Sequence, residues 1–263
     1  MDIYDKMSNR VKKLRVFAGP NGSGKSTLYK YLIQINAFNS YYHINPDLVA
    51  KDLSVSLNLD NWPIDFSSNE LISYLKLSPF QTLVDYNIAD LLNIRDRRIS
   101  LKDPFFNDSY LAAAISDFLR YKMIQSNSSF SFESVFSHES KIKEIEIAKK
   151  ENFKIYFYFI STSDPLINFQ RIKNRVETGG HDVPYDKVND RYYRTMNNLY
   201  NAFKLSDRAY LFDNTSDKNN NSFDFFVEKN GENVNLTNSN LVPHWFDEFV
   251  LKRLKDEDAM STT

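Results

Sequence analysis

Apolar and polar residues recur along this chain with two periods, near two and near three and a half, and these place most of its elements. Leu14-Arg15-Val16-Phe17-Ala18 is a short run able to form a central strand, and Leu28, Leu32 and Ile35 then fall on one face of a helix predicted over 26–35. Tyr41-Tyr42-His43-Ile44 reads as a second strand. An amphipathic helix is predicted over 109–125, where Leu111, Ala114, Ile115, Phe118, Leu119 and Met123 stand three and four residues apart. A short strand, Ser129-Phe130-Ser131-Phe132-Glu133, precedes a helix over 137–151 with Ile142, Ile145 and Ala148 inward. Lys154-Ile155-Tyr156-Phe157-Tyr158-Phe159-Ile160 is nearly continuous in apolar and aromatic residues, the pattern of a strand covered on both faces.

Asp164-Pro165 then supplies an N-cap followed by proline at the first helical position. That helix is expected to reach about residue 178, with Leu166, Phe169, Ile172 or Lys173, and Val176 buried, and to stop at Gly179-Gly180. A second helix over 185–203 carries Val188, Tyr192, Met196 or Leu199, and Phe203 inward. Arg208-Ala209-Tyr210-Leu211-Phe212 reads as the fifth strand, closing in Asp213-Asn214-Thr215. Residues 217–221 read as a polar loop, 223–228 and 232–236 as a hairpin around Asn230-Gly231, and 243–254 as a terminal helix.

The stretch 51–108 carries a weaker pattern. Segments 71–77 and 83–92 look helical and 57–68 and 102–108 look like loops, so the stretch reads as an insertion able to wall a substrate site. Arg95, Arg97 and Arg98 within it are read as the solvated face of a helix. The expected architecture is α/β: a mostly parallel five-stranded sheet flanked by helices, with an inserted helical region at 51–108 and a C-terminal hairpin plus helix. The whole, 1–263, is expected to be one domain with a lid over 165–203.

Composition narrows the partners. The chain's 33 basic and 34 acidic residues nearly cancel, so no global field draws it to nucleic acid or to an anionic membrane. No cysteine is present, which excludes disulfide and thiolate chemistry. No run approaches the 18 apolar residues of a membrane span, and the expected location is the cytoplasm. The four histidines, His43, His138, His181 and His244, are scattered without ligand-like spacing.

The chemistry concentrates in the loop after the first strand. Gly19-Pro20-Asn21-Gly22-Ser23-Gly24-Lys25-Ser26-Thr27 satisfies G-x-x-x-x-G-K-[ST], and it stands between a strand and a helix as a phosphate-binding loop must. Glycines let backbone N–H groups converge on one point, and the helix N-terminus adds partial positive charge. Lys25 reaches outer phosphates and Ser26 offers a hydroxyl to Mg2+. Asp47 follows the second strand and Glu133 ends the third, on the sheet edge where open α/β sheets bind ligands. In sheets of the nucleoside-monophosphate-kinase kind these two strands neighbour each other, an analogy that puts both carboxylates beside the γ-phosphate. Asp47 has two readings, a base accepting the acceptor's proton or the cap of a helix over 48–50; Glu133 has two as well, holding Mg2+ through water or fixing the acceptor. Arg171 and Arg175 lie four apart on one side of a helix, and Arg191 and Arg194 lie on the next. Two arginine-bearing helices joined by a glycine turn are how a lid over a transferring phosphoryl group is built; ordinary surface arginines are the competing reading.

The loop alone admits several classes. A GTPase would show N-K-x-D, which is missing, and an ATP-driven motor would show an apolar strand closing in Asp or Asp-Glu, where this chain has Ser161-Thr162-Ser163-Asp164. A small-molecule kinase using ATP or GTP with Mg2+ is the preferred class. The alternative is a nucleotide-dependent ATPase or switch answering to a protein or nucleic acid partner.

Taken in order and spacing, the P-loop, Ile44-Asn45-Pro46-Asp47, Ser131-Phe132-Glu133-Ser134, Arg171 with Arg175-Val176, Gly179-Gly180-His181-Asp182-Val183-Pro184, Arg191-Tyr192 and Asp213-Asn214-Thr215 resemble the zeta toxin family of P-loop kinases. The glycine-glycine-histidine form is that of a zeta-like branch. The resemblance implies phosphorylation of a hydroxyl on a small molecule, typically a UDP-activated amino sugar such as UDP-N-acetylglucosamine, and for some members a small antitoxin protein as partner. It assigns Lys25 and Ser26 to phosphate and Mg2+, Asp47 to the catalytic base, Glu133 to the acidic substrate or metal residue, and Arg171, with Arg175 as competitor, to the phosphate clamp. Arg191 is the candidate for the family's second clamp.

Overall fold

β1 (Lys13–Ala18) is buried from Leu14 onward, and it delivers the chain into the glycine-rich loop. The computed structural model describes residues 11–106, 108–177, 183–216, 223–237 and 242–261, and it resolves into two compact units, Met1–Asn39 with Glu133–Thr263, and Ser40–Phe132. The expected glycine stop at Gly179-Gly180, with His181, and the loop over 217–221 lie outside the described residues.

In the first unit, β1 pairs in parallel with β7 (Lys154–Ser161), and β7 pairs in parallel with β8 (Arg208–Asp213). The hairpin β9 (Asp224–Asn230) and β10 (Asn233–Leu236) turns at Asn230-Gly231 as the sequence predicts, and β9 adds to β8 antiparallel. The hairpin's two strands therefore join the five expected ones, which include β2 (His43–Ile44) and β6 (Phe130–Ser134), and the seven form one mostly parallel sheet in the order β10-β9-β8-β7-β1-β6-β2. Side chains of a strand alternate between faces, and both faces of β7 are covered. Tyr158 stacks on Phe17, ring centroids 4.7 Å apart, beneath Leu28 and Leu32 of helix α1 (Lys25–Gln34). Phe157 and Phe159 face the other way, where Phe157 meets Phe136 and Phe159 meets Trp245.

The second unit holds β2 (His43–Ile44), which pairs in parallel with residues Ser131 and Phe132 of β6 (Phe130–Ser134). Helices α2 (Pro46–Leu53), α3 (Ser68–Lys76) and α4 (Ser109–Gln125) pack together, with α4 starting and ending where its apolar spacing predicts. Ser67 and Asp108 cap α3 and α4 through their side chains.

The stretch 51–108 is not wholly helical. It contains α3 and also a three-stranded antiparallel sheet of β3 (Leu57–Asn58), β5 (Arg98–Leu101) and β4 (Leu92–Arg95). Arg95, Arg97 and Arg98, expected on a helix, instead sit on a hairpin whose turn places Asp96 at φ 53°. Arg97 is not a free surface charge: Nε and Nη2 donate to the Leu59 carbonyl at 3.1 and 3.0 Å and Nη2 to the Trp62 carbonyl at 2.5 Å. An arginine fork satisfying carbonyls of a neighbouring loop explains a short basic cluster without invoking any ligand.

Beyond β6, α5 (Ser140–Lys150), α6 (Pro165–Val176) and α7 (Tyr185–Leu205) return to the first unit. The buried side of α7 is the expected Val188, Tyr192, Met196, Leu199 and Phe203. That of α6 differs: Leu166 is exposed and Asn168 is fully buried with Ile172. The terminal helix also differs, since a π-helical turn at Asp247–Leu251 separates His244–Phe246 from Lys252–Ser261.

Candidate phosphate-binding site

The loop of residues 19–27 is shaped by its own backbone and by two neighbours within the first unit, Asn168 and Asn214. Gly22 has φ +76°, and a Cβ there would lie 2.5 Å from the Asn168 carbonyl oxygen at the start of α6. Gly24 has φ +102°, and a Cβ there would lie 2.7 Å from Asn214 Nδ2. Both positions thus demand glycine twice over, for backbone conformation and for space. The turn closes by Ser23 N–H donating to the Pro20 carbonyl at 3.2 Å, and α1 begins at Lys25 with Gly24 as its cap residue.

Helix α1 has no side-chain cap, whereas Asn45, Ser67, Asp108 and Asp164 cap α2, α3, α4 and α6. Its first N–H groups therefore keep their capacity for an anion, reinforced by the helix dipole. Two polar atoms of the same loop, Ser23 Oγ and Asn21 Oδ1, are buried with no hydrogen-bond partner among the described residues. Such atoms are uncommon in folded proteins, and a bound water, ion or ligand is one way of satisfying them.

Lys25 folds onto the loop: Nζ donates to the carbonyls of Gly19 and Pro20, both at 2.9 Å. Beside it, Ser26 Oγ donates to Glu133 Oε2 at 2.6 Å, and Glu133 is almost wholly buried. Serine hydroxyl and carboxylate are hard oxygen donors, the type Mg2+ takes, and Mg2+ characteristically binds one or two protein oxygens while water and phosphate complete its shell. The residues present fit that ion, although no group of three or more His, Asp or Glu residues able to hold a metal occurs among the described residues.

The arginines separate on inspection. Arg171 on α6 donates from Nη1 to the Asn214 carbonyl at 2.8 Å. Arg175 is exposed on the same helix, Arg191 is half-buried on α7, and Arg194 pairs with Asp190 at 2.6 Å on the surface. In the second unit, Asn45 is the cap of α2 and accepts from Asp47 N–H at 2.8 Å, so the capping reading of Asp47 is corrected in favour of Asn45. Asp47 stands in the helix's first turn, exposed, with only its backbone engaged among the described residues.

No protein-family model matches the sequence. A stretch of 69 residues is 36% identical to an uncharacterized protein of Haemophilus influenzae (strain ATCC 51907 / DSM 11121 / KW20 / Rd), covering 26% of this chain and 49% of that protein, so the chain matches about half the relative's length. Among solved structures, 93% of the chain superposes on the AvrRxo1-ORF1:AvrRxo1-ORF2 complex with sulphate ions at 16% identity and TM-score 0.52. The same complex with ATP gives 13% identity and TM-score 0.55. In both, the chain covers 65% of the matched protein. The fold is shared with the AvrRxo1-ORF1:AvrRxo1-ORF2 structures. At these identities the likeness concerns the fold, and the chemistry has to be argued from this chain's own residues. Asn168 and Asn214 are site elements that apolar periodicity does not reveal: Asn168 is buried on α6 but stands outside the expected stripe of Leu166, Phe169, Ile172 or Lys173, and Val176. In the sequence Asn214 stands out only as part of the Asp213-Asn214-Thr215 motif.

Proposed function

We propose that this protein is a phosphotransferase that moves the γ-phosphoryl group of ATP, or GTP, to a hydroxyl of a small molecule. The observation that carries the reading is the pairing of Ser26 with the buried Glu133 at 2.6 Å, beside Lys25 and the uncapped start of α1. Together they form a triphosphate cradle with an acid in the right chemical setting to support a cation. The fold's likeness to a complex solved with ATP supports the donor. Lys25 exchanges its two carbonyl partners for phosphate oxygens, and Arg171 on α6 offers a second cation, with Arg175 and Arg191 as its competitors on the lid over 165–203. Ser26 and Glu133 would hold Mg2+, which would supply neutralisation of phosphate charge. Asp47 accepts the acceptor's proton as its oxygen forms a bond to phosphorus and the bond to the departing ADP oxygen breaks.

The resemblance noted in the sequence points to a UDP-activated amino sugar as acceptor. The AvrRxo1 structures are of a two-protein complex, which makes a small protein partner part of the proposal. No described helix is long and apolar enough to cross a membrane, and a reaction drawing on ATP fits the cytoplasm. The test incubates the protein with Mg-ATP and a metabolite extract containing UDP-amino sugars, followed by mass spectrometry. A gain of one phosphate on a hydroxyl acceptor is expected. Asp47→Asn should lower transfer by roughly 10²–10⁴-fold while leaving nucleotide affinity near wild type; full transfer by that variant would remove Asp47 from the mechanism.

A further inference from the structure

We propose that Asn214 is a positioning residue that sets the P-loop and Arg171 against each other, and through them the site for a nucleotide's outer phosphates; the proposal rests on the phosphotransferase reading above. Three separate groups of this one residue are committed. Its backbone N–H donates to the Ser161 carbonyl at 2.7 Å, which fixes its place after β8. Its side-chain Nδ2 donates to the Ser23 carbonyl at 2.9 Å, inside the P-loop. Its own carbonyl accepts Arg171 Nη1 at 2.8 Å. Loop and arginine are thereby tied to one peptide unit and its side chain.

The P-loop is built to admit this contact. Nδ2 occupies the space where a Cβ on residue 24 would be, 2.7 Å away, so Gly24 leaves the room through which the amide reaches Ser23. The residues flanking Asn214 are locked in turn. Asp213 Oδ1 accepts Trp245 Nε1 at 2.8 Å and Thr215 Oγ1 at 2.9 Å, and Oδ2 accepts Thr215 N–H at 3.0 Å. Thr215 Oγ1 in turn accepts Ser163 N–H at 2.9 Å. A segment held on both sides transmits position rather than absorbing it. The side chain's chemistry also matters: an aspartate of the same shape presents an acceptor to the Ser23 carbonyl where the amide presents a donor.

The experiment titrates Mg-ATP into the full chain by calorimetry, for wild type, Asn214→Ala, Asn214→Asp, Arg171→Ala, the Asn214→Ala/Arg171→Ala double variant, and Lys25→Ala. Asn214→Ala and Arg171→Ala should each weaken binding about tenfold, on the scale of a lost charge-assisted or buried hydrogen bond. The double variant should bind no more weakly than the weaker single one, because residues acting as a unit are not additive. Asn214→Asp should be at least as impaired as Asn214→Ala, which a purely space-filling role would not produce; it also decides the matter if the alanine variant does not fold. Wild-type affinity in Asn214→Asp, or single effects that multiply in the double variant, overturns the proposal. A wild type that binds no Mg-ATP, or Lys25→Ala binding as well as wild type, overturns the phosphotransferase reading itself.

Discussion

The two carboxylates singled out from the sequence have opposite surroundings. Glu133, in the first unit, is almost wholly buried and bonded to Ser26 at 2.6 Å, whereas Asp47, in the second, is exposed and its side chain engages nothing among the described residues. A buried carboxylate is stable only with partners in place, so Glu133 belongs to a site assembled before any ligand arrives. Asp47 carries no such obligation. The contrast extends to their neighbours: the donor side is set by backbone and glycine geometry, while the second unit presents α2, α3 and a small sheet whose loops are fixed by side chains such as Arg97. Under the proposed phosphotransfer, donor chemistry would depend on a conformation few residues can adopt, and acceptor choice on surfaces that tolerate change.

The largest effect that sharpens this contrast is expected from Lys25→Ala. Loss of the ammonium removes charge from the phosphates in both ground and transition states, so nucleotide affinity and turnover should both fall, turnover by roughly 10²-fold or more; isothermal titration and ADP release measure the two. An unchanged affinity would break the assignment of the donor site to the first unit. Next, Arg97→Ala removes the guanidinium from the carbonyls of Leu59 and Trp62, of which the first still accepts Trp62 N–H at 3.0 Å. About 1–3 kcal/mol of stability should be lost, as read by denaturant unfolding, with Mg-ATP affinity unaltered. A parallel loss of nucleotide affinity would show that the units do not divide the work as described.

The smallest effect concerns the sheet under α1. Burial, the largest cause, pushes the Tyr158 phenol up to about 12 from its usual value of 10.0. The folded state then holds the proton more tightly than the unfolded chain, so this contribution to stability is complete below pH 10 and is lost as pH rises toward 12. Unfolding midpoints measured across that window should fall with pH in wild type and fall less in Tyr158→Phe.

How much of this was legible in advance depended on element length. Helix α4 was placed with correct ends because ten of its residues are buried and its spacing repeats over 17 residues. The sheet of β3, β4 and β5 was missed because its strands span two to four residues, too few for a period of two to show. Arg95 to Arg98 read as helical because nothing in composition announces an Asp96 with positive φ. On α6, Asn168 is buried although it stands outside the expected apolar stripe, because it lies below the P-loop: Oδ1 accepts Thr162 Oγ1 at 2.6 Å and its backbone lies against Gly22. Tertiary demands of that kind leave no periodic trace. The shape of the loop over 19–27 is legible because only a narrow set of residues produces its backbone geometry.

The hydrogen bond from the Trp245 indole to Asp213 has a practical corollary. The chain has two tryptophans, and they fall one to each unit: Trp245 is buried beside the Asn214 segment, and Trp62 lies against Tyr42, ring centroids 5.5 Å apart. Intrinsic fluorescence therefore carries two addresses. Replacing either indole with phenylalanine leaves a lone emitter, so that melting of one unit, or its response to nucleotide, can be watched in the other's silence.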